Sequence, residues 1–265
     1  DAPVWADLHE WAPEENAASR AWRVLVGPYM DALCRRYLPL AAVATTVSNA
    51  IAELYQGRYG VHPQVVRNAI PLQALEPTPV EPGRIRLVHS GVANPERNIE
   101  GLIDAMRLLD ERFSLDLFLV GEESGHLAKI RAHANNVPGV TLHAAATPVE
   151  LPARLNVYDI GVFIQPVKSL NNRLMLPNKF FEFVQARLGM VFGPALETDR
   201  LIHEFGLGAV AAGSTAQDLA ATLGRLSHED VTQFKNAAHA AAKELSNEPD
   251  LETQRAIVER LLTHG

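Results

Sequence analysis

The run Ile85-Arg86-Leu87-Val88-His89-Ser90-Gly91-Val92-Ala93-Asn94-Pro95-Glu96-Arg97-Asn98-Ile99-Glu100-Gly101-Leu102-Ile103-Asp104-Ala105-Met106 changes its period half-way. Residues 85–89 form a short apolar run of strand type. After the glycine, Ile99, Leu102, Ile103 and Met106 recur at helical spacing, which predicts an amphipathic helix over 95–109. A strand leading into such a helix is the unit from which parallel sheets are built.

The same alternation continues downstream. Strands are predicted at 115–120, 140–142, 159–164, 190–192 and 209–212. Helices are predicted at 124–133, 149–156, 177–187, 197–205, 216–226 and 230–245. This order implies an α/β fold, a parallel sheet covered on both faces, with ligands at the carboxyl ends of its strands. The loops after residues 90, 121, 143, 165 and 193 therefore matter most.

Upstream lies a shorter unit: a strand at 4–8, a helical stretch at 17–37, a strand at 42–47, a helix capped by Ser48 and a strand at 65–67. Pro71, Pro77, Pro79 and Pro82 then interrupt the chain, which marks a boundary. We expect a partial first domain over 1–70, a linker over 71–84, a second domain over 85–245 and a C-terminal helix over 246–265 that packs back on the first. The first unit has too few strands for a complete doubly wound domain and opens on Asp1, so further residues upstream are expected.

Composition limits the function classes. With 265 residues, 47% hydrophobic and 21% charged, the chain can bury a substantial core. A net charge of −7 gives nucleic acid no electrostatic reason to bind. Cys34 has no partner for a disulfide, the longest apolar run (38–47) is about half of the ~20 residues a membrane span needs, and no leader is visible. These point to the cytoplasm. Arg20, Arg23, Arg35 and Arg36 are interleaved with Trp22, Leu25, Val26 and Tyr29. That stretch reads either as a solvated helix face or as a contact with an anionic membrane surface.

Two segments could carry chemistry. In Pro177-Asn178-Lys179-Phe180-Phe181-Glu182-Phe183, Pro177 suits a first helical position. The helix start offers free amides and a positive dipole end to a phosphate. Lys179 adds a full charge, and Glu182 can accept hydrogen bonds from vicinal hydroxyls such as those of a ribose. Asn178, Glu182 and Gln185 read as one polar stripe. In the segment 89–98, Gly91 permits close backbone approach and Arg97 can clamp a diphosphate. An ordinary capped helix with a surface Lys–Glu pair, and a tight turn followed by a solvated arginine, fit the same residues. The spacing alone does not choose.

Taken in order, these segments resemble a known family. Ser90-Gly91, Pro95-Glu96-Arg97-Asn98 and Leu102-Ile103-Asp104-Ala105 are similar to the first loop and helix in the donor domain of family-four glycosyltransferases. Leu119-Val120-Gly121 resembles their second strand end. Tyr158-Asp159-Ile160-Gly161-Val162 followed by residues 177–183 resembles their donor signature in a Pro-x-Lys-x-x-Glu variant. Thr46-Val47-Ser48, Val65-Val66-Arg67-Asn68 and Asp7-Leu8-His9-Glu10 are similar to parts of the family's N-terminal domain. The resemblance implies a GT-B architecture of two Rossmann-like domains and a retaining, metal-independent transferase needing no cofactor. It implies a nucleoside diphosphate sugar as donor and a glycan, lipid-linked or small-molecule hydroxyl as acceptor.

The resemblance also implies residue roles. Glu182 would hold the ribose, Arg97 would replace the diphosphate-binding lysine, and Asn178 and Lys179 would complete the cradle. His9 would approach the sugar from the facing domain. Thus His9, Arg97 and Lys179 are the expected catalytic residues. Gly91, Arg97, Gly121, His143, Asn178, Lys179 and Glu182 are the expected donor-binding set, with the base near Gly121 and His143. Two positions depart from the family. Val92 stands where many members have arginine, and Leu174 where they have a glutamate eight residues before the ribose-binding acid. Arg173 or Lys179 would have to replace the missing cation. The missing acid leaves a non-catalytic binding subunit as an alternative. A nucleotide-sugar epimerase is a weaker one, lacking identifiable acid–base carboxylates. Gly206-Leu207-Gly208-Ala209-Val210-Ala211 fits a dinucleotide fingerprint by letter but precedes its strand. The sequence contains no His-Glu-x-x-His, Asp-x-Asp or Gly-x-Ser-x-Gly.

Overall fold

The computed structural model describes residues 2–17, 19–122 and 125–264. The first unit runs β1 (Trp5–Leu8), α1 (Gly27–Tyr37), β2 (Val43–Thr46), α2 (Asn49–Tyr59) and β3 (Gln64–Val65), its strands parallel in the order β1-β2-β3. The second runs β4 (Ile85–Val92), α3 (Ile99–Met106), β5 (Phe113–Val120), α4 (His126–Ala134), β6 (Val140–His143), α5 (Leu151–Leu155), β7 (Ile160–Phe163), α6 (Leu170–Leu174), α7 (Asn178–Gln185), β8 (Gly189–Phe192), α8 (Leu196–Phe205), β9 (Gly208–Val210), α9 (Ala216–Leu223) and α10 (His228–Ala241). The last helix, α11 (Glu248–His264), returns to the first unit. The six strands of the larger sheet are all parallel in the order β6-β5-β4-β7-β8-β9. The winding direction therefore reverses between β4 and β7. A crevice opens at such a point, because the connections leaving the two strands diverge to opposite faces.

Strand alternation divides the larger sheet into two apolar faces. Leu87, Leu115 and Leu117 pack under Ile99, Ile103, Ile130 and Leu223 on one side. Val88, Phe163 and Phe192 meet Phe180, Phe183, Ile202 and Ala238 on the other. The α7 helix sits so close to β7 that a methyl group on Gly161 would overlap the Phe183 ring. A third cluster holds Trp11, Cys34, Ile51 and Tyr55 together with Leu174 of α6, so the two units share one core.

Several elements differ from the sequence expectation, each for a local reason. The helix expected over 95–109 is broken. Residues Pro95–Arg97 form a 3-10 turn, and Asn98 adopts a left-handed φ of 53° while donating to Ser214 O at 2.7 Å. The helical stretch expected at 17–37 contains a π turn, Trp22–Val26, in which Trp22 Nε1 donates to Pro13 O at 3.0 Å. Val24, Leu25 and Tyr29 there are exposed. The strand ends at Val65: the Val66 amide still donates to Thr46 O at 2.8 Å, but the Arg67 amide turns to Asp250 Oδ1 at 2.8 Å. Pro177 is the N-cap of α7 rather than its first turn. The α6 helix has no counterpart in the predicted elements. Position 124, the expected start of α4, lies outside the described residues.

Polar contacts tie the units together. Asp250 also pairs with the Arg67 guanidinium, and Arg260 donates to Ala42 O at 3.3 Å, which seats α11 on the first unit. The buried Glu197 carboxylate of α8 accepts the Ala50 amide at 3.0 Å. Asn171 of α6 accepts the Trp11 amide at 2.8 Å and donates to Trp11 O at 3.3 Å.

The linker is fixed by a buried ionic group. Asp159 accepts from Arg86 through its amide (2.8 Å) and guanidinium (3.0 and 3.1 Å), and Lys235 Nζ lies 3.3 Å from it. Lys235 also donates to Tyr158 O at 2.6 Å and to Thr78 Oγ1 at 3.0 Å. Asp159 and Lys235 are both fully buried. Removing one partner of such a pair strands the other charge in a dry environment, so Asp159→Ala should lower unfolding free energy by about 3–5 kcal/mol. Urea denaturation checks this; an unchanged midpoint would contradict it.

Candidate functional site

The connections after β4 and β7 bring the predicted residues together at the reversal point. After β4, Gly91 adopts φ 146°, a conformation that disfavours side chains. A methyl group at Gly91 would stand 2.5 Å from Lys179 Nζ, so the lysine occupies the space left by the missing side chain. The 3-10 turn then delivers Arg97, whose Nη1 donates at 2.6 Å to Gln165 Oε1 just beyond β7. At the start of α7, Lys179 also lies over the Phe163 ring, 5.5 Å from its centroid. One turn deeper, Glu182 accepts a hydrogen bond from Ser90 Oγ at 3.2 Å.

Burial governs the charges here. Loss of solvent brings the Lys179 ammonium down to about 8; Glu182 opposes that shift and Arg97 adds to it. Burial raises the Glu182 carboxyl, with Lys179 and the Ser90 hydrogen bond acting against it. His89, fully buried beneath, is held neutral: burial, aided by the nearby Lys179 charge, depresses it to about 3. Its Nδ1 is 2.9 Å from Val162 O, and its Nε2 has no hydrogen-bond partner.

Of these groups, Arg97, Gln165 and Lys179 border a cleft of about 400 Å3 between the two units; Gly91 and Glu182, which adjoin Lys179, do not line it. Arg97, Gln165, Asn178 and Lys179 line one wall; His9, Glu10, Glu15 and Asn68 line the other, with Ser169, Asn171 and Asn172 at the side. His9 lies 2.9 Å from Asp7 Oδ2 through Nε2, and Asn68 Nδ2 reaches its Nδ1 at 3.5 Å, so both ring nitrogens are engaged.

Other predicted residues lie elsewhere. Gly121 packs against Ala93 and Leu127, outside this cleft. His143 ends β6, stacks on Phe118 at 4.8 Å and bonds Asp116. Through the register Ser90↔Phe118↔His143 it stands two strands, roughly 10 Å, from Ser90. The polar stripe on α7 is not continuous. Gln185 is completely buried, donating to Ala242 O at 2.6 Å and accepting the Gln73 amide at 3.0 Å, because α10 and the linker cover that end of the helix. Arg173 is exposed and does not line the cleft, whereas Lys179 does. Leu174 is buried among the Trp11 cluster. Gln165, Asn171, Glu10 and Glu15 were not expected in the site. Gln165 follows a strand whose end the sequence flags, whereas nothing local marks the other three.

The reversed strand order, the facing Rossmann-like unit and the cleft between them define a GT-B-type α/β architecture. Solved structures that share this fold include several glycosyltransferases. The chain superposes over 100% of its length on 53% of the pneumococcal O-GlcNAc transferase GtfA in complex with UDP and GlcNAc, at TM-score 0.72 and 17% identity. It matches TarM of S. aureus at TM-score 0.72 and 14% identity, covering 96% of this chain and 50% of that one. It matches Anabaena HepE in complex with UDP at 0.74 and 12%, covering 97% and 72%. The chain thus spans about half the length of GtfA and TarM. No protein-family model matches the sequence, and neither does any curated protein. No helix among the described residues is long and apolar enough to cross a membrane.

The burial of Leu174 generates a stability test. Leu174→Glu, which introduces the acid that the sequence resemblance leads one to expect, would set a carboxylate in the apolar cluster of Trp11 and Tyr55. We expect a loss of roughly 2–4 kcal/mol in chemical denaturation. Equal stability of variant and wild type would mean that this position can face the cleft.

Proposed function

We propose that the chain is the donor-binding half of a retaining glycosyltransferase together with part of its acceptor-side domain. The reaction moves a sugar from a nucleoside diphosphate sugar to a hydroxyl of a glycan, lipid-linked or small-molecule acceptor, without a metal. One observation carries this reading: Arg97, Lys179 and the start of α7 converge on a single cleft, with Glu182 close enough to Lys179 to act on its charge. The fold shared with glycosyltransferases solved with UDP supports it.

In this reading the diphosphate lies over Gly91, between Arg97, Lys179 and the amides near Asn178. Glu182 accepts the ribose hydroxyls, and the base extends along the strand ends towards Gly121 and His143. His9 faces the sugar, with its ring oriented by Asp7 and Asn68. Negative charge grows on the departing diphosphate as the glycosidic bond breaks. Two cations and a helix terminus already oriented towards it stabilise that charge without reorganisation. The facing wall excludes water and aligns the acceptor hydroxyl with the anomeric carbon. The protein works in the cytoplasm, where the exposed Val24, Leu25 and Tyr29 could meet a membrane bearing a lipid-linked acceptor.

Calorimetry with UDP, GDP and dTDP tests the site. At least one should bind, and Glu182→Ala and Arg97→Ala should each weaken it by about 1.5–3 kcal/mol, the cost of a charge-assisted hydrogen bond. Equal binding by all three proteins would refute the assignment. The burial of Leu174 favours a second reading, a binding subunit without turnover; such a protein would release no sugar from the donor that it binds.

Lys179 makes binding depend on pH in a defined direction. Its depressed value means that the free protein loses the ammonium as pH rises through about 8. A diphosphate needs the charged form, so affinity should be flat below that pH and fall by up to about tenfold per unit above it. A nucleotide sugar is the appropriate ligand, because its diphosphate has no proton to lose in this range. Lys179→Arg should flatten the profile, since guanidinium stays charged throughout. A flat wild-type profile up to pH 10 would rule out this role for Lys179.

A further inference from the structure

Charge is divided between the two walls of the cleft. Arg97 and Lys179 belong to the larger unit, whereas Glu10 and Glu15 stand on the smaller one. Neither glutamate makes an ion pair or a side-chain hydrogen bond among the described residues. The Glu10 backbone is nevertheless fixed, because the fully buried Tyr55 hydroxyl donates to Glu10 O at 2.8 Å and accepts the Ala12 amide at 3.2 Å. Burial and the neighbouring Glu15 raise the Glu10 carboxyl, while His9 lowers it. Between the charged ends, Asn68, Asn171 and Asn172 provide neutral amides suited to hydroxyl groups.

Among the described residues, the larger unit places no carboxylate on the lining of the cleft. Leu174 has turned into the apolar cluster shared with Trp11, and Glu182 lies beneath Lys179 on Ser90. A diphosphate bound between Arg97 and Lys179 would neutralise both cations. Glu10 and Glu15, with His9 beside them, would then face whatever the diphosphate carries.

We infer that Glu10 and Glu15 supply the carboxylates that meet the transferred sugar, and that they select neutral or amino sugars against uronic acids. This rests on the donor-site reading above. A sugar carboxylate would enter next to two like charges, with Arg97 and Lys179 taken up by the diphosphate and His9 already on Asp7. A hydroxyl or an ammonium at the same place would donate to them.

The test compares UDP-glucose with UDP-glucuronic acid by calorimetry, on wild type and on the Glu10→Gln, Glu15→Gln double variant. GDP-mannose and GDP-mannuronic acid replace them if guanosine is the base that binds. Glutamine keeps the shape and removes the charge. The wild type should bind the uronate roughly tenfold or more weakly than the neutral sugar, and the double variant should bring the two affinities within about threefold. Equal affinities in the wild type, or an undiminished preference in the variant, would overturn the inference and leave the nucleotide site standing. Failure of the wild type to bind any of UDP, GDP and dTDP would remove the donor reading, and this inference with it.

Discussion

The placement of the Lys179 ammonium over Gly91 is the contact on which the rest of the site depends. It joins two loops separated by almost ninety residues, and it works only because residue 91 has no side chain. Burial alone would favour the neutral amine. Glu182 counteracts that penalty from below, and Arg97 keeps the local balance positive. The result is a cation held part-way out of water, where its interaction with an anion is less screened than on an open surface.

That placement follows from topology. Because the strand order reverses between β4 and β7, their following segments part and leave a gap at the carboxyl edge of the sheet. The Arg97–Gln165 hydrogen bond spans this gap, and Asn98 anchors the turn behind it to Ser214. At the opposite edge, Asp159 and Lys235 hold the starts of β4 and β7 against α10 and the linker. One end of the sheet is therefore fixed by buried charges, while the other presents its charges to the cleft.

The larger unit was legible in the sequence because each strand and helix keeps its own period. The alternation from residue 85 onward gives the sheet, and a glycine before an arginine-bearing turn marks the first loop. What the sequence could not convey were long-range choices between polar partners. Asn98 takes a left-handed turn because a carbonyl more than a hundred positions away accepts its amide. Gln185 continues the spacing of Asn178 and Glu182, yet α10 and the linker cover it, so an apparent binding residue became a structural one. Arg67 continues a strand pattern until Asp250 captures its backbone. The family resemblance flagged position 174 as anomalous, but only the packing against Trp11 explains why leucine is accommodated there. Glu10 and Glu15 escaped notice for the opposite reason: nothing in their local pattern differs from a solvated surface.

The carboxylate of Glu197 has a consequence for how the two halves can move. It belongs to α8 of the larger unit, but it accepts the first-turn amide of α2 in the smaller one, next to the amide that Ser48 caps. A helix end has few ways to satisfy its leading amides, so this bond is part of what keeps α2 wound at its start. Swinging the halves apart would leave the Ala50 amide uncapped, while Glu197 would keep only its pairing with Arg200. The joint should therefore behave less like a smooth hinge than like a catch, released in one step when water or another group takes over that amide.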